Sequence, residues 1–149
     1  HDLSANAGYA LFRENDEKIN ESGLRSMSRL TRTILCGVDY ERCKQIRREN
    51  YSYLRTALHE KNQLKLPNLE AQTPMVYPFY VKDGFYLKKK LIEEQIYVAT
   101  YWSEVKTRND IRSLECSLVD DLLPLPIDQR YALTDMQRIV EVIENWFTQ

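Results

Sequence analysis

The predicted fold depends on Leu122-Leu123-Pro124-Leu125-Pro126-Ile127-Asp128-Gln129-Arg130-Tyr131, a short apolar segment that leads straight into the C-terminal helix. Apolar side chains alternate there with Pro124 and Pro126, so one face is apolar and two backbone donors are missing. Because proline donates no backbone hydrogen bond, a strand with this pattern pairs fully on one side only. The segment is therefore predicted to be an edge strand or the entry to a strand.

The segment after this strand is predicted to form the C-terminal helix. Thr134 and Gln137 match a capping box. Apolar residues then recur at helical spacing at Met136, Ile139, Val140, Ile143, Trp146 and Phe147. Such a stripe has to be buried, so we expect this helix to pack on the sheet.

Two further strands are predicted upstream. The run from Met75 to Lys82 is rich in β-forming residues and indicates a central strand. Asp83-Gly84 turns the chain into a helix that reaches about Ile96, and Tyr97 to Trp102 follows as the second strand. Another helix, from about Leu114 to Leu122, leads to the proline-containing strand.

The N-terminal part is predicted to be mainly helical. A short strand followed by a polar helix is expected over Tyr9 to Asn20, and an amphipathic helix from about Ser26 to Cys36. Asp39 is a good N-cap for a helix of about twenty residues. The order of elements predicts one α+β domain over residues 1–149, with a small three- to four-stranded, mainly antiparallel sheet packed against helices.

Length and charge narrow the possible functions. A chain of 149 residues suits a single domain, and 21 Lys and Arg against 22 Asp and Glu favour neither nucleic acid nor an anionic membrane as a partner. Basic clusters at Arg42 to Arg48 and Lys88 to Lys90 suit solvated helix faces, and nucleic-acid binding through them ranks last among the hypotheses. No apolar run is long enough for a membrane span, and no secretory signal is evident, so a cytoplasmic location is expected.

The sequence contains no recognisable catalytic constellation. His1 and His59 are its two histidines, and its three cysteines form no Cys-x-x-Cys motif, so we predict neither a metal site nor catalytic residues. Asp120 and Asp121 are adjacent and point to different sides of a helix, which favours capping and solvation over acid–base chemistry.

Aromatic residues offer the best binding candidates. Tyr77, Tyr80 and Tyr97 suit the core, whereas Tyr101 and Trp102 leave a predicted strand beside a polar loop. A ring at such a position can cover a ligand while its hydroxyl or N–H group donates a hydrogen bond.

These segments also resemble a known family. The run from Tyr77 through the helix to Ile96-Tyr97-Val98-Ala99-Thr100-Tyr101-Trp102, the Leu-Pro-Leu-Pro strand and the Thr134-Asp135 helix start resemble the C-terminal small domain of pyridoxal-phosphate (PLP) aminotransferases, most closely the DegT/DnrJ/StrS sugar aminotransferases. The resemblance covers roughly Ser26 to Phe147. Residues 8–12 resemble a strand that follows the Schiff-base lysine in these enzymes, so residues 1–25 would be a remnant of the preceding large domain.

The resemblance implies a function and a set of contacts. The parent enzyme would be a homodimer that transfers an amino group from glutamate to a keto-sugar nucleotide or similar ketone. Its upstream large domain would bind PLP through a lysine, whereas this chain alone would hold no cofactor and would be inactive. Tyr101 and Trp102 fall where the family has a His-Tyr pair, and Asp128 falls on a frequent His position. All three are therefore predicted on the substrate side.

Arg130 completes the predicted substrate-binding set, with two interpretations. Its guanidinium could bind the carboxylate of the amino donor through two parallel hydrogen bonds. It could equally pair with Asp128 or cap the preceding carbonyl groups. The alternative for the whole chain is a free-standing α+β module that binds a small ligand or a protein without catalysis.

Overall fold

The computed structural model describes residues 5–67, 72–108, 110 and 113–148. Its contacts divide the chain into two units, one up to Val38 and one from Asp39 onwards. Each unit is described by itself below. The domain boundary expected near residue 25 stays a prediction.

The N-terminal unit contains the helices α1 (Ala5–Glu21) and α2 (Arg29–Cys36). The strand predicted at the start of this region is wrong. The polar segment from Arg13 to Lys18 continues as helix and is supported by ion pairs at i, i+4 spacing. The predicted amphipathic helix is present as α2, but it begins at Arg29 and not near Ser26. The hydroxyl of its N-cap, Ser28, accepts from the Thr31 backbone N–H at 3.0 Å.

The second unit begins with the long helix α3 (Tyr40–Leu58). Asp39 is its N-cap, as predicted, and its carboxylate accepts from the Arg42 backbone N–H at 2.9 Å. Tyr51, Leu54 and Leu58 are buried along one side of α3. This stripe forms one wall of the core.

The sheet pairs β1 (Val76–Tyr80) with β2 (Leu122–Pro126) in antiparallel register. Tyr77 lies opposite Leu125 and Phe79 opposite Leu123, and all four side chains are buried in the core. Pro78 lies opposite Pro124 on the other face. Both strands were predicted, and β2 is an edge strand as expected. Within the described residues β1 is also an edge strand, so its prediction as a central strand is wrong.

Within the described residues the sheet has two strands, so the prediction of three to four is wrong, although the α+β class is confirmed. The segment from Tyr97 to Trp102 is irregular. The φ angle is positive at Gln95 (62°), two residues before this segment, and at Trp102 (54°), its last residue.

The edges of the sheet explain why a third strand does not form. Opposed prolines occupy a non-hydrogen-bonded pair, so Pro78 and Pro124 each remove a donor from an outer edge. The outer edge of β1 is also taken by another segment: Tyr80 donates to the Asn62 side chain at 3.1 Å, and its carbonyl oxygen accepts from Gln63 at 2.9 Å. Neither edge is free to pair along its length.

The described part of the second unit contains four further helices: α4 (Gly84–Glu93), α5 (Val105–Arg108), α6 (Leu114–Asp121) and α7 (Leu133–Phe147). The helix α7 packs mainly on α3 and α4. It buries Met136, Ile139 and Ile143 as predicted, whereas Phe147, which was assigned to the same stripe, is 42% exposed. The capping box predicted at Thr134 is wrong. The N-cap is Ala132, two residues before Thr134, and the Asp135 carboxylate accepts from the Ala132 backbone N–H at 2.8 Å. Among the helices that the structure describes, none is both long and apolar enough to cross a membrane.

Candidate functional site

The face of the sheet that turns away from the core forms the floor of a cleft of about 290 Å³. Pro78 and Pro124 are paired at its centre. The described residues that line it are Met75, Val76, Pro78, Tyr101, Trp102, Leu122 and Pro124. Because none of these side chains is charged, the cleft suits an apolar surface or the face of an uncharged ring better than an ionised group.

Tyr101 and Trp102 form a side wall of this cleft. Their rings meet edge to face with centroids 5.5 Å apart, and Trp102 is 64% exposed. A φ of 54° at Trp102 lies in the left-handed region, which costs about 1–3 kcal/mol for a residue with a bulky side chain. The two aromatic residues predicted from the sequence thus lie together at a cleft, and their contact with a substrate stays a prediction.

The other strand-region tyrosines are distributed differently. Tyr77 is buried as expected, its hydroxyl oxygen accepts from Asn62 at 3.3 Å, and burial raises its pKa. Tyr97 is 50% exposed, so its assignment to the core is wrong. Because its segment does not join the sheet, no neighbouring strand covers this side chain.

Asp128 and Arg130 occupy the turn between β2 and α7, and they bind each other. Arg130 donates from Nε and Nη2 to the two carboxylate oxygens, both at 2.8 Å, and its backbone N–H donates to Oδ1 at 3.0 Å. Hydrogen bonds from Arg130 hold the pKa of Asp128 below its ordinary value and raise the pKa of Arg130. To bind a ligand carboxylate in this way, Arg130 would have to release Asp128.

Two residues of α3 that the sequence did not single out hold this turn. The side chain of Asn50, which is 1% exposed, donates to the carbonyl oxygens of Ile127 and Tyr131 at 3.3 and 3.1 Å. Arg47 donates to the Gln129 side chain at 3.2 Å and to the carbonyl oxygen of Met75 at 3.1 Å. Since Met75 lines the cleft, α3 links the turn to the cleft.

The sequence did contain a signal for the structural role of Asn50. Asn50 follows Ile46 by four residues and precedes Leu54 by four, so it lies within the apolar stripe of α3. A polar side chain at such a position is buried only with hydrogen-bond partners. Arg47 gave no such signal. It is partly exposed, and besides lying on the basic face of α3 it makes hydrogen bonds to segments far away in the chain.

The Asp128–Arg130 pair predicts a specific dependence of stability on pH. Because the pKa of Asp128 is lowered in the folded state, its stabilising effect is complete above the ordinary Asp pKa of about 3.9 and is lost as the pH falls through the folded-state pKa. Asp128→Asn is therefore expected to lower the free energy of unfolding near pH 7 by about 1 kcal/mol or less, because Arg130 is exposed. Urea unfolding at pH 7 and at pH 3 or below measures this difference.

The control for this prediction is Arg130→Gln. It removes the partner of Asp128 and should abolish the same pH-dependent part of the free energy of unfolding. The difference between wild type and either variant should shrink towards zero at the lowest pH. An equal pH dependence in wild type and Asp128→Asn would contradict the prediction.

The described residues do not by themselves fit PLP. Among the described lysines, Lys88 has a pKa that is lowered by burial. Its amine donates to the Thr100 hydroxyl, and Asp120 lies nearby. The N-terminus of α4, where a phosphate could bind, is occupied by Asp121, whose carboxylate accepts from the Phe85 backbone N–H at 3.2 Å. This contact and an ion pair between Asp120 and Lys106 agree with the structural roles predicted for both aspartates.

The described part of the chain also lacks any group of three or more His, Cys, Asp or Glu side chains arranged to hold a metal ion. Comparison with known proteins gave no further guide: no family model, curated protein or solved structure matches this chain. The proposed function is therefore based on the cleft and on the residues that hold it.

Proposed function

We propose that residues 26–149 are the C-terminal small domain of a PLP-dependent aminotransferase of the sugar-modifying kind, inactive alone. In this proposal it supplies one wall of a cleft whose lysine and phosphate site belong to an upstream large domain. The observation that carries it is the convergence of Tyr101 and Trp102 on an uncharged cleft with no catalytic groups in its lining. A wall that positions a substrate needs such a surface, while the reacting groups come from elsewhere.

The support behind the cleft favours a positioning role. The cleft floor is backed by core residues such as Phe79 and Leu123, and α3 ties Met75 to the turn at Gln129. Side chains held by packing and by a second layer of hydrogen bonds keep a fixed geometry, which substrate positioning requires. Glutamate as amino donor, a keto-sugar nucleotide as acceptor, a homodimeric parent and a cytoplasmic location all remain parts of the proposal.

The second candidate is a free-standing α+β module that binds a ligand or a protein without catalysis. The two-stranded sheet favours this candidate, because the strand from Tyr97 to Trp102 that the family resemblance implies does not form. A module of this kind would bind its ligand without any upstream domain.

The first test uses this chain with added PLP. The proposal expects no saturable visible absorption band of a lysine–PLP imine, because no phosphate site accompanies Lys88. The longer gene product that includes the upstream domain should form the band and transfer an amino group from glutamate. An inactive longer protein would refute the aminotransferase assignment.

The second test asks whether the aromatic wall of Tyr101 and Trp102 contributes to the reaction. In the longer protein, Trp102→Ala should lower kcat/KM for the keto substrate by roughly tenfold, since an apolar contact of about 1–2 kcal/mol is lost. Tyr86→Ala is the matched control, because Tyr86 is similarly exposed (61%) and does not line the cleft. A ligand that binds the present chain alone, and loses affinity in Trp102→Ala, would instead establish the binding module.

A further inference from the structure

A second pocket in the same unit, the basic pocket, lies between Arg55 and His59 at the C-terminal end of α3, Lys65 in the loop that follows, and Tyr77 of β1. Its volume is about 270 Å³. Pockets for small ligands typically measure roughly 300–1,000 Å³, so a ligand of this pocket has to be small.

The lining of the basic pocket is positively charged. Among the described residues that line it, Arg55 and Lys65 carry positive charges, His59 adds an imidazole, and none has a carboxylate. Lys65 is exposed and forms no ion pair with a described residue. Leu64 and Leu66 lie beside these groups in the lining. The pocket therefore combines a positive charge with an apolar surface, which suits an anion on an apolar body.

Asn62 holds the wall of this pocket in place. Its side-chain nitrogen donates to the Tyr77 hydroxyl oxygen at 3.3 Å and to the Pro78 carbonyl oxygen at 2.8 Å. Its side-chain oxygen accepts from the backbone N–H groups of Leu64 and Tyr80 at 3.0 and 3.1 Å. An amide side chain has two donors and two lone pairs, so Asn62 is fully used. Because the Tyr77 oxygen accepts from Asn62, its own hydrogen stays available to donate.

A second hydroxyl beside the pocket lacks a partner. Tyr51 is 5% exposed, and its hydroxyl forms no hydrogen bond with a described residue. Its ring meets the ring of Tyr77 edge to face with centroids 5.3 Å apart. Burial raises the pKa of both tyrosines, and the positive charge of Arg55 acts against this rise in both. Both hydroxyls thus keep their hydrogens at neutral pH and lie near Arg55. A buried donor without a partner is costly, and a ligand or a water molecule usually completes it.

We propose that the basic pocket binds a small organic carboxylate. The carboxylate group contacts Arg55 and Lys65, and the apolar body lies against Leu64 and Leu66. Tyr51 donates to the carboxylate or to a water molecule that it holds. A singly charged carboxylate fits better than a phosphate dianion, because the C-terminal end of a helix carries a partial negative charge. Phosphates prefer the opposite end of a helix, where backbone N–H groups are free.

The basic pocket is separate from the cleft that the proposed function uses. Neighbouring side chains of a strand point to opposite faces, so Tyr77 lies on the other face of β1 from Val76 and Pro78, which line the cleft. The two share no described lining residue. The carboxylate site therefore goes beyond the proposed function and does not depend on it.

The test is calorimetric titration of the full chain with benzoate at low salt, where charge interactions are screened least. Benzoate should bind saturably. Benzyl alcohol, which has a similar size and no charge, and acetate, which lacks the apolar body, should each bind roughly tenfold more weakly or worse. Phenyl phosphate should bind no more tightly than benzoate. Absent benzoate binding, equal binding of benzyl alcohol, or tighter binding of phenyl phosphate would each overturn the proposal.

Substitutions then locate the bound benzoate. Lys65→Met keeps an apolar chain without the charge and should weaken binding roughly fivefold, the upper range for an exposed ion pair. Lys89→Met is the matched control, because Lys89 is an exposed lysine of α4 outside the pocket lining, and its affinity should equal that of wild type. Trp102→Ala should also leave benzoate binding unchanged, since Trp102 belongs to the cleft. An unchanged affinity in Lys65→Met, or a loss in Trp102→Ala, would refute the assignment to this pocket.

Tyr51→Phe separates a binding role from a structural one. The ligand-free variant should be at least as stable as wild type in urea, because the hydroxyl that it loses has no partner there. Its affinity for benzoate should nevertheless fall. A variant that binds benzoate as tightly as wild type would contradict the role given to Tyr51 in the proposal.

Discussion

Replacing Phe79 by Ala is expected to lower the free energy of unfolding by about 3–5 kcal/mol. Phe79 is fully buried, lies opposite Leu123 in the sheet, and belongs to the core that α3, α4 and α7 enclose. Truncation loses the transfer free energy of the ring and leaves a cavity that rigid neighbours fill only in part. Since domains are stable by about 5–15 kcal/mol, this one change removes a large part of the total.

The matched control is Phe85→Ala, the same substitution at a position that is 44% exposed on α4. Its ring contacts the Lys89 ammonium group, a surface cation–π contact worth about 0.5–1 kcal/mol. Urea unfolding followed by circular dichroism and tryptophan fluorescence measures both variants. Similar losses in the two variants would show that the core is not where we place it.

Replacing Gly84 by Ala is expected to lower the free energy of unfolding by about 1–3 kcal/mol. A Cβ atom at Gly84 would come within 2.8 Å of the Asp121 Cα and closer still to its carbonyl oxygen, and both are backbone atoms that cannot rotate away. The first turn of α4 would have to move from the end of α6. That movement would also weaken the hydrogen bond between the Phe85 backbone N–H and the Asp121 carboxylate.

Gly37→Ala is the control for this prediction. The added Cβ would lie 3.4 Å from the Ile34 carbonyl oxygen, which is ordinary contact, and φ at Gly37 is −86°. Its free energy of unfolding should therefore stay within about 0.5 kcal/mol of wild type, as for most surface substitutions. If the two glycine variants were equally stable, the close approach of α4 and α6 would be refuted.

The loss in Gly84→Ala also bears on the proposed function. The end of α6 leads directly into β2, and Leu122 and Pro124 of that strand line the cleft. A shift of α6 would therefore move the cleft floor relative to Trp102. We expect ligand binding in the cleft to be more sensitive to Gly84→Ala than to the exposed Phe85→Ala.

The sequence by itself determined those helix starts and strands that depend on residues close to one another along the chain. Asp39 caps α3 because its carboxylate reaches a backbone N–H three residues later. The patterns of β2 and α7 indicated the burial of Leu123, Leu125, Met136, Ile139 and Ile143, since burial follows the period of a strand or a helix, but they did not indicate that Pro124 is buried and Phe147 exposed. The sequence also indicated Tyr101 and Trp102 as binding candidates, and both line the cleft.

Tertiary structure alone decided what depends on segments far apart in the chain. The segment from Tyr97 to Trp102 has the composition of a strand, yet Asn62 and Gln63 occupy the outer edge of β1 and prolines remove donors from both edges. Arg47 holds a turn 82 residues away, a contact that no local period reveals. A backbone N–H or C=O group pairs with the partner that the folded chain brings close to it, whatever the distance along the sequence. The number of strands, and the hydrogen bonds from α3 that hold the turn and the cleft, therefore became evident only in the tertiary structure.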